Sequence, residues 1–176
     1  MAGHSKWAQI KRQKAVTDAK RSKIFSKLVR LISIEAKKAK GNLSDPALRQ
    51  AIEKAKKENM PQDNIERAVK KATTSPEQME EITYEAYGPG GVGIIIESLT
   101  SNRNKAAQEI KHVLSKNGFS LAGVGSVVWA FKKEGGEWFA QTSVPLENEE
   151  DLKSLDKLVE ELEDNDEVQA VYTNAE

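Results

Sequence analysis

Between Thr73 and Glu81 the apolar residues change period, and no single kind of secondary structure spans both sides of that change. Ahead of it they recur every three or four positions, as helices buried on one face require. Beyond it they fall into short blocks bounded by Gly, Pro and Asn, the pattern of strands and turns interleaved with helices. The same place marks a charge reversal. Residues 1–75 hold 19 Lys+Arg against 7 Asp+Glu and residues 76–176 hold 8 against 20, so a formal net charge of +0 over 176 residues conceals balances of +12 and −12. The polar stretch with Pro76 therefore reads as a boundary between a basic domain, 1–75, and an acidic one, 76–176.

The basic half predicts three amphipathic helices behind a basic tail. From Ser22, the residues Phe25, Leu28, Val29, Ile32 and Ala36 form one stripe, widened by Ile24 and Leu31, and Gly41-Asn42 ends it. Asp45-Pro46 supplies an N-cap acceptor followed by proline at the first helical position, ahead of Leu48, Ala51, Ile52 and Ala55. Asn59-Met60-Pro61 breaks that helix and opens a third, whose core face is Ile65, Ala68, Val69 and Ala72. Short connections make these a three-helix bundle.

In the acidic half, Ile82–Tyr87 and Val92–Leu99 read as strands joined by Gly88-Pro89-Gly90-Gly91. Asn102 caps a helix that turns Ala106, Ile110, Val113 and Leu114 inward and closes at Asn117-Gly118. Val127–Lys133 and Trp138–Pro145 read as strands around Gly135-Gly136. Asn148 starts an acidic helix burying Leu152, Leu155, Val159 and Leu162, and Glu167–Tyr172 is the last strand. The expected class is α+β: a bundle followed by a ferredoxin-like β-α-β-β-α-β domain with one leading hairpin strand.

Several function classes lose support on composition. With 0 Cys there is no thiolate metal site, disulfide or cysteine nucleophile. No apolar run reaches the roughly 18 residues of a membrane helix, and the basic start lacks a secretory signal's apolar segment, so a cytoplasmic protein without a membrane partner is expected. His4 and His112 lack partners at ligand spacing, and no serine sits in a nucleophile elbow, so neither a metal, a cofactor, a small-molecule substrate nor an enzymatic role is expected. Gly88-Pro89-Gly90-Gly91-Val92-Gly93 fits G-x-G-x-x-G, but a strand follows where a dinucleotide site needs a helix N-terminus. Those glycines read as a shape-setting turn.

The positive signal is basic. Lys6, Lys11, Arg12, Lys14, Lys20, Arg21, Lys23, Lys27 and Arg30 crowd a short segment whose one acidic residue is Asp18. Lys23, Lys27, Arg30 and Lys37 share the helix face opposite the apolar stripe, where a row of cations can follow a phosphate backbone. Trp7 stands among them outside any stripe, placed to stack on a base or to anchor the tail. Arg103 and Asn104 begin a helix, where the dipole disfavours a cation unless an anion or carboxylate faces it, and they are candidate contacts to RNA or a partner.

Met1-Ala2-Gly3-His4-Ser5-Lys6-Trp7, Asp18-Ala19-Lys20-Arg21, Asn59-Met60-Pro61, Tyr84-Glu85-Ala86-Tyr87-Gly88-Pro89-Gly90-Gly91, Leu99-Thr100-Ser101-Asn102-Arg103-Asn104 and Gly125-Ser126-Val127 strongly resemble the YebC family. The resemblance implies a DNA-binding transcriptional regulator or, alternatively, a ribosome-associated translation factor that contacts ribosomal or transfer RNA. It also implies a third small α/β lobe, in whose place this chain has only Phe131–Trp138.

Overall fold

The structure is a computed structural model that describes residues 17–176. Those residues form two compact units, 17–79 and 80–176.

The first unit is a bundle of three helices: α1 (Asp18–Lys38), α2 (Pro46–Lys57) and α3 (Gln62–Thr74). Thr17 caps α1, its Oγ1 accepting the Lys20 N–H at 3.2 Å. The helix thus begins four residues before Ser22, because residues 18–21 carry no large apolar side chain to reveal the period. Gly41, at φ 77°, ends the α1 connection by donating its N–H to the Ala36 carbonyl at 2.9 Å. Asp45 Oδ1 accepts the Leu48 N–H at 3.1 Å and caps α2, with Pro46 in the first turn. Leu28, Ile32, Ala36, Leu48, Ala51, Ala55, Met60, Ile65, Ala68 and Ala72 make one buried core. Val29, expected in the α1 stripe, is 37% exposed, because it lies at the margin of that stripe.

The second unit comprises β1 (Glu80–Tyr87), β2 (Gly93–Thr100), α4 (Arg103–Lys116), β3 (Phe131–Glu134), β4 (Glu137–Ala140), α5 (Glu149–Asp164) and β5 (Val168–Thr173). Three strands form an antiparallel sheet in the order β1-β2-β5. Seven of the eight β2 residues are buried, since both faces of this central strand are covered. Ile94 and Ile96 pack with Ile110 and Leu114 of α4 and with Leu152, Leu155, Leu158, Val159 and Leu162 of α5. Ile95 points the other way, into a smaller cluster with Val127, Ala130 and Phe131.

The fold is therefore α+β, a three-helix bundle followed by a mixed domain, but the four-stranded ferredoxin-like sheet does not form. β3 and β4 make their own two-stranded hairpin, which packs over the face of the sheet opposite the helices. The reason is that both edges of β2 are taken. β1 pairs with it from Glu80↔Thr100 to Tyr87↔Gly93, and β5 from Ile94↔Thr173 onward. Two expected strands are also shorter. Val128–Ala130 is a turn of 3-10 helix, so β3 starts at Phe131. β4 ends at Ala140, and the chain beyond it meets the C-terminus through the Val144↔Ala175 bridge, with Asn174 Nδ2 donating to the Thr142 carbonyl at 2.9 Å and the Leu146 N–H to that of Glu176 at 3.0 Å.

Candidate nucleic-acid interface

Lys6, Trp7, Lys11, Arg12 and Lys14 lie outside the described residues. The remaining cations of the row are on α1. Arg21 is exposed and lies 3.7 Å from Asp18 one turn back. Lys20, Lys23, Lys27 and Arg30 are half-buried rather than fully solvated. At 100° per residue, Lys23, Lys27 and Arg30 do share one side of α1, opposite Leu28 and Ile32. Ile34 shares that side too and is only 6% exposed, so the face is not an ordinary solvated one. Lys37, expected in the same row, is engaged elsewhere: its Nζ donates to the carbonyls of Ser75, at 3.0 Å, and of Glu77. It ties the chain beyond α3 back to α1.

Arg103 opens α4 behind Asn102, whose Oδ1 accepts the Lys105 N–H at 3.1 Å. Its guanidinium faces a carboxylate of the chain itself. Nη2 and Nε donate to Glu80 Oε2 at 2.8 and 3.1 Å, across to the start of β1. This partner answers the unfavourable dipole without any bound anion. The pair is well exposed, as is Asn104 beside it.

The glycine turn is structural in its geometry. Gly90 and Gly91 have φ of 66° and 81°, and a Cβ on Gly90 would stand 2.5 Å from Leu146 Cδ2. A Cβ on Gly93 would stand 2.7 Å from Val127 Cγ1, so two loops approach the β1–β2 connection more closely than side chains allow. β2 follows this turn directly, and the helix N-terminus that does approach it, that of α5, is acidic. Asp151 Oδ2 would stand 3.5 Å from the Gly90 Cβ, with Glu149 and Glu150 in the same first turn, which opposes a bound phosphate.

Sequence reasoning missed the most constrained polar group of the unit. Glu85 lies mid-strand in β1, is 5% exposed, and points to the hairpin side of the sheet. Its Oε2 accepts the Gly125 N–H at 2.7 Å, and its Oε1 accepts those of Val127 and Val128, each at 2.8 Å. Burial alone would raise its pKa, but the three backbone donors outweigh that and hold it below the ordinary carboxylate value. Next along the same loop, the Ser126 carbonyl accepts both the Tyr87 hydroxyl at 2.8 Å and Trp129 Nε1 at 2.7 Å. The one sequence signal was a glutamate inside an apolar strand.

Among the described residues no group of three or more His, Asp or Glu could hold a metal ion, and no helix is long and apolar enough to cross a membrane. Comparison with known proteins adds the family context. Residues 5–75 match the TACO1/YebC protein N-terminal domain, and residues 79–136 and 136–175 match the TACO1/YebC second and third domain. The two latter pieces meet at Gly136, in the β3–β4 turn. A "Probable transcriptional regulatory protein" of Fervidobacterium nodosum is 48% identical over 171 residues, covering 96% of this chain and 68% of its own length. Another so described, from Thermotoga petrophila, is 43% identical over 184 residues, covering 100% and 71%. The chain thus spans about two-thirds of their length, as a shorter form would. The crystal structure of a conserved hypothetical protein from Aquifex aeolicus superposes with a TM-score of 0.83 at 32% identity, covering 98% of this chain and 97% of that one.

Proposed function

Since the chain belongs to the TACO1/YebC family, whose curated relatives are described as regulatory proteins rather than enzymes, we propose that it is a nucleic-acid-binding regulator of gene expression. The observation that carries this reading is α1 itself. It carries Lys20, Lys23, Lys27 and Arg30 along one side of a helix, with Arg21 exposed farther round its first turn, within the half of the chain that holds a balance of +12. Such a row suits successive phosphates, and the tail with Lys6, Trp7, Lys11, Arg12 and Lys14 extends the same charge. The names of the relatives favour duplex DNA as the target.

A second reading, structured RNA on the ribosome, rests on the residue types of the row. Three of its five α1 members, Lys20, Lys23 and Lys27, are lysines, which hold phosphates as point charges, and Arg21 and Arg30 are the α1 candidates for bidentate base contacts. Backbone contacts of that kind serve an RNA fold as well as a duplex. Arg103 and Asn104 are then additional candidate contacts from the second unit.

Competition gel shifts with the full chain decide between the two. A labelled duplex DNA is challenged with unlabelled duplex, with ribosomal RNA and with transfer RNA at equal phosphate concentration. Displacement by duplex at the lowest concentration supports the transcriptional reading, and displacement by either RNA supports the ribosomal one. Binding of none of the three at low salt contradicts the proposal.

A further inference from the structure

α2 and α3 leave a groove of about 410 Å³ between them, and none of the expected nucleic-acid contacts lies in it. Each helix gives it one stripe at helical spacing: Arg49, Ile52, Glu53 and Lys56 from α2, and Gln62, Ile65, Glu66, Val69 and Lys70 from α3. Leu43, 60% exposed, lies at its margin. The large apolar residues of the lining are Leu43, Ile52, Ile65 and Val69, all aliphatic.

We propose that this groove is a docking site for an acidic amphipathic helix of another protein. Length is the first argument. From Arg49 to Lys56 is seven residues, about 10 Å of helix, which is the span of apolar anchors at i, i+3 or i+4, and i+7 on a partner helix.

Charge is the second. The carboxylates of the lining are already engaged, Glu53 at 3.6 Å from Lys56 and Glu66 accepting from Gln62 at 3.2 Å. Among the described residues the side chains of Arg49 and Lys70 have no such partner. The short α2–α3 connection joins the Lys56 and Gln62 ends, so Arg49 and Lys70 mark the other end and leave it cationic. Carboxylates flanking the partner's last anchor match it.

Two other occupants fit worse. A nucleic acid would bring phosphates past Glu53 and Glu66, and among the described residues the lining has no aromatic ring on which a base could stack. A second copy of this chain would have to use its acidic helix α5, whose leucines are already buried in its own core.

The test uses the full chain as bait for a phage-displayed library of random 20-residue peptides, followed by titration of the enriched peptides. Enriched sequences should carry apolar residues at i, i+3 or i+4, and i+7 together with Asp or Glu. Their binding should shift the methyl resonances of Ile52, Ile65 and Val69, and Arg49→Glu/Lys70→Glu should weaken it at least tenfold. Both cations are exposed, so circular dichroism should find that variant folded. Absence of enrichment, enrichment of basic peptides, undiminished binding to the variant, or the same methyl shifts with a 20-nucleotide RNA instead would each overturn the proposal. These residues are distinct from the α1 row, so loss of nucleic-acid binding in α1 variants leaves this experiment unaffected.

Discussion

Glu85 Oε1 accepts the backbone N–H of Val127 at 2.8 Å across a separation of 42 residues, and with it β1 fixes the loop that crosses the sheet. Val127 is 1% exposed, so its N–H has no water to turn to. Glu85→Gln keeps the side chain's shape but puts a donor amide where the carboxylate had an acceptor. It should destabilise the second unit by about 1–3 kcal/mol, the cost of a buried donor left unmade. Urea unfolding of the two proteins measures the difference. Trp129, anchored through Ser126 on the same loop, provides the fluorescence signal.

The same carboxylate predicts a pH dependence with a definite sign. Its folded pKa is lowered relative to the ordinary 4.5. Its contribution is therefore fully present above pH 4.5 and disappears as the pH falls through the lower folded value. The stability gap between the native protein and Glu85→Gln should be constant from pH 6 to 8, about the neutral range, and narrow in acid. A gap that widens in acid contradicts the assignment.

Gly90 and Gly91 separate backbone strain from close packing. Both have positive φ, but only the Gly90 Cβ would meet side chains within 4 Å, Leu146 at 2.5 Å and Asp151 at 3.5 Å. Gly91→Ala should cost about 1–2 kcal/mol, the left-handed penalty alone. Gly90→Ala should cost more. Thermal melts rank the two, and neither substitution should alter nucleic-acid affinity of the folded protein, as a phosphate-cradling turn would require.

Arg103 and Glu80 are each more than half exposed, so their ion pair should matter little to folding. Arg103→Ala and Glu80→Ala should each change stability by less than about 1 kcal/mol, with a double-mutant coupling of about 0.2–1 kcal/mol. Denaturant midpoints of the two single variants and the double variant test this. If Arg103 contacts RNA or a partner, Arg103→Ala lowers activity in cells without that fold being lost, whereas a purely structural role moves both together.

The helix starts at Asp45, Asn102 and Asn148 were legible because each cap is a local event, a side-chain oxygen meeting an N–H two or three residues on. The buried stripes were legible for the same reason, apart from Val29 at a stripe margin. The sheet order was not. Whether β3 joins β2 depends on β1 and β5 occupying both edges first, which is a relation among segments far apart in the chain. Val128–Ala130 read as strand because Val127 and Val128 are β-formers, yet their N–H groups are taken by Glu85 rather than by a neighbouring strand. Lys37 belonged to the right face by periodicity, but the carbonyls of Ser75 and Glu77 lie within its reach only in the folded bundle. In the candidate interface, the alignment of Lys23, Lys27 and Arg30 followed from period alone. Their partial burial beside Ile34 did not.

The central claim, that the basic half meets nucleic acid through its phosphates, is tested most directly by the salt dependence of binding. The full chain is compared with Lys23→Gln/Lys27→Gln/Arg30→Gln, which removes the charge and keeps the helix, while Leu28→Ala, a core change costing about 2–5 kcal/mol, serves as the folding control. If the whole surface contacts six to ten phosphates, affinity of the native chain should fall by about 10³–10⁵ between 50 and 200 mM salt. The triple variant should bind more weakly at low salt, with a log–log slope shallower by about 2–3. A native affinity indifferent to salt, or a triple variant with an unchanged slope, would contradict the account.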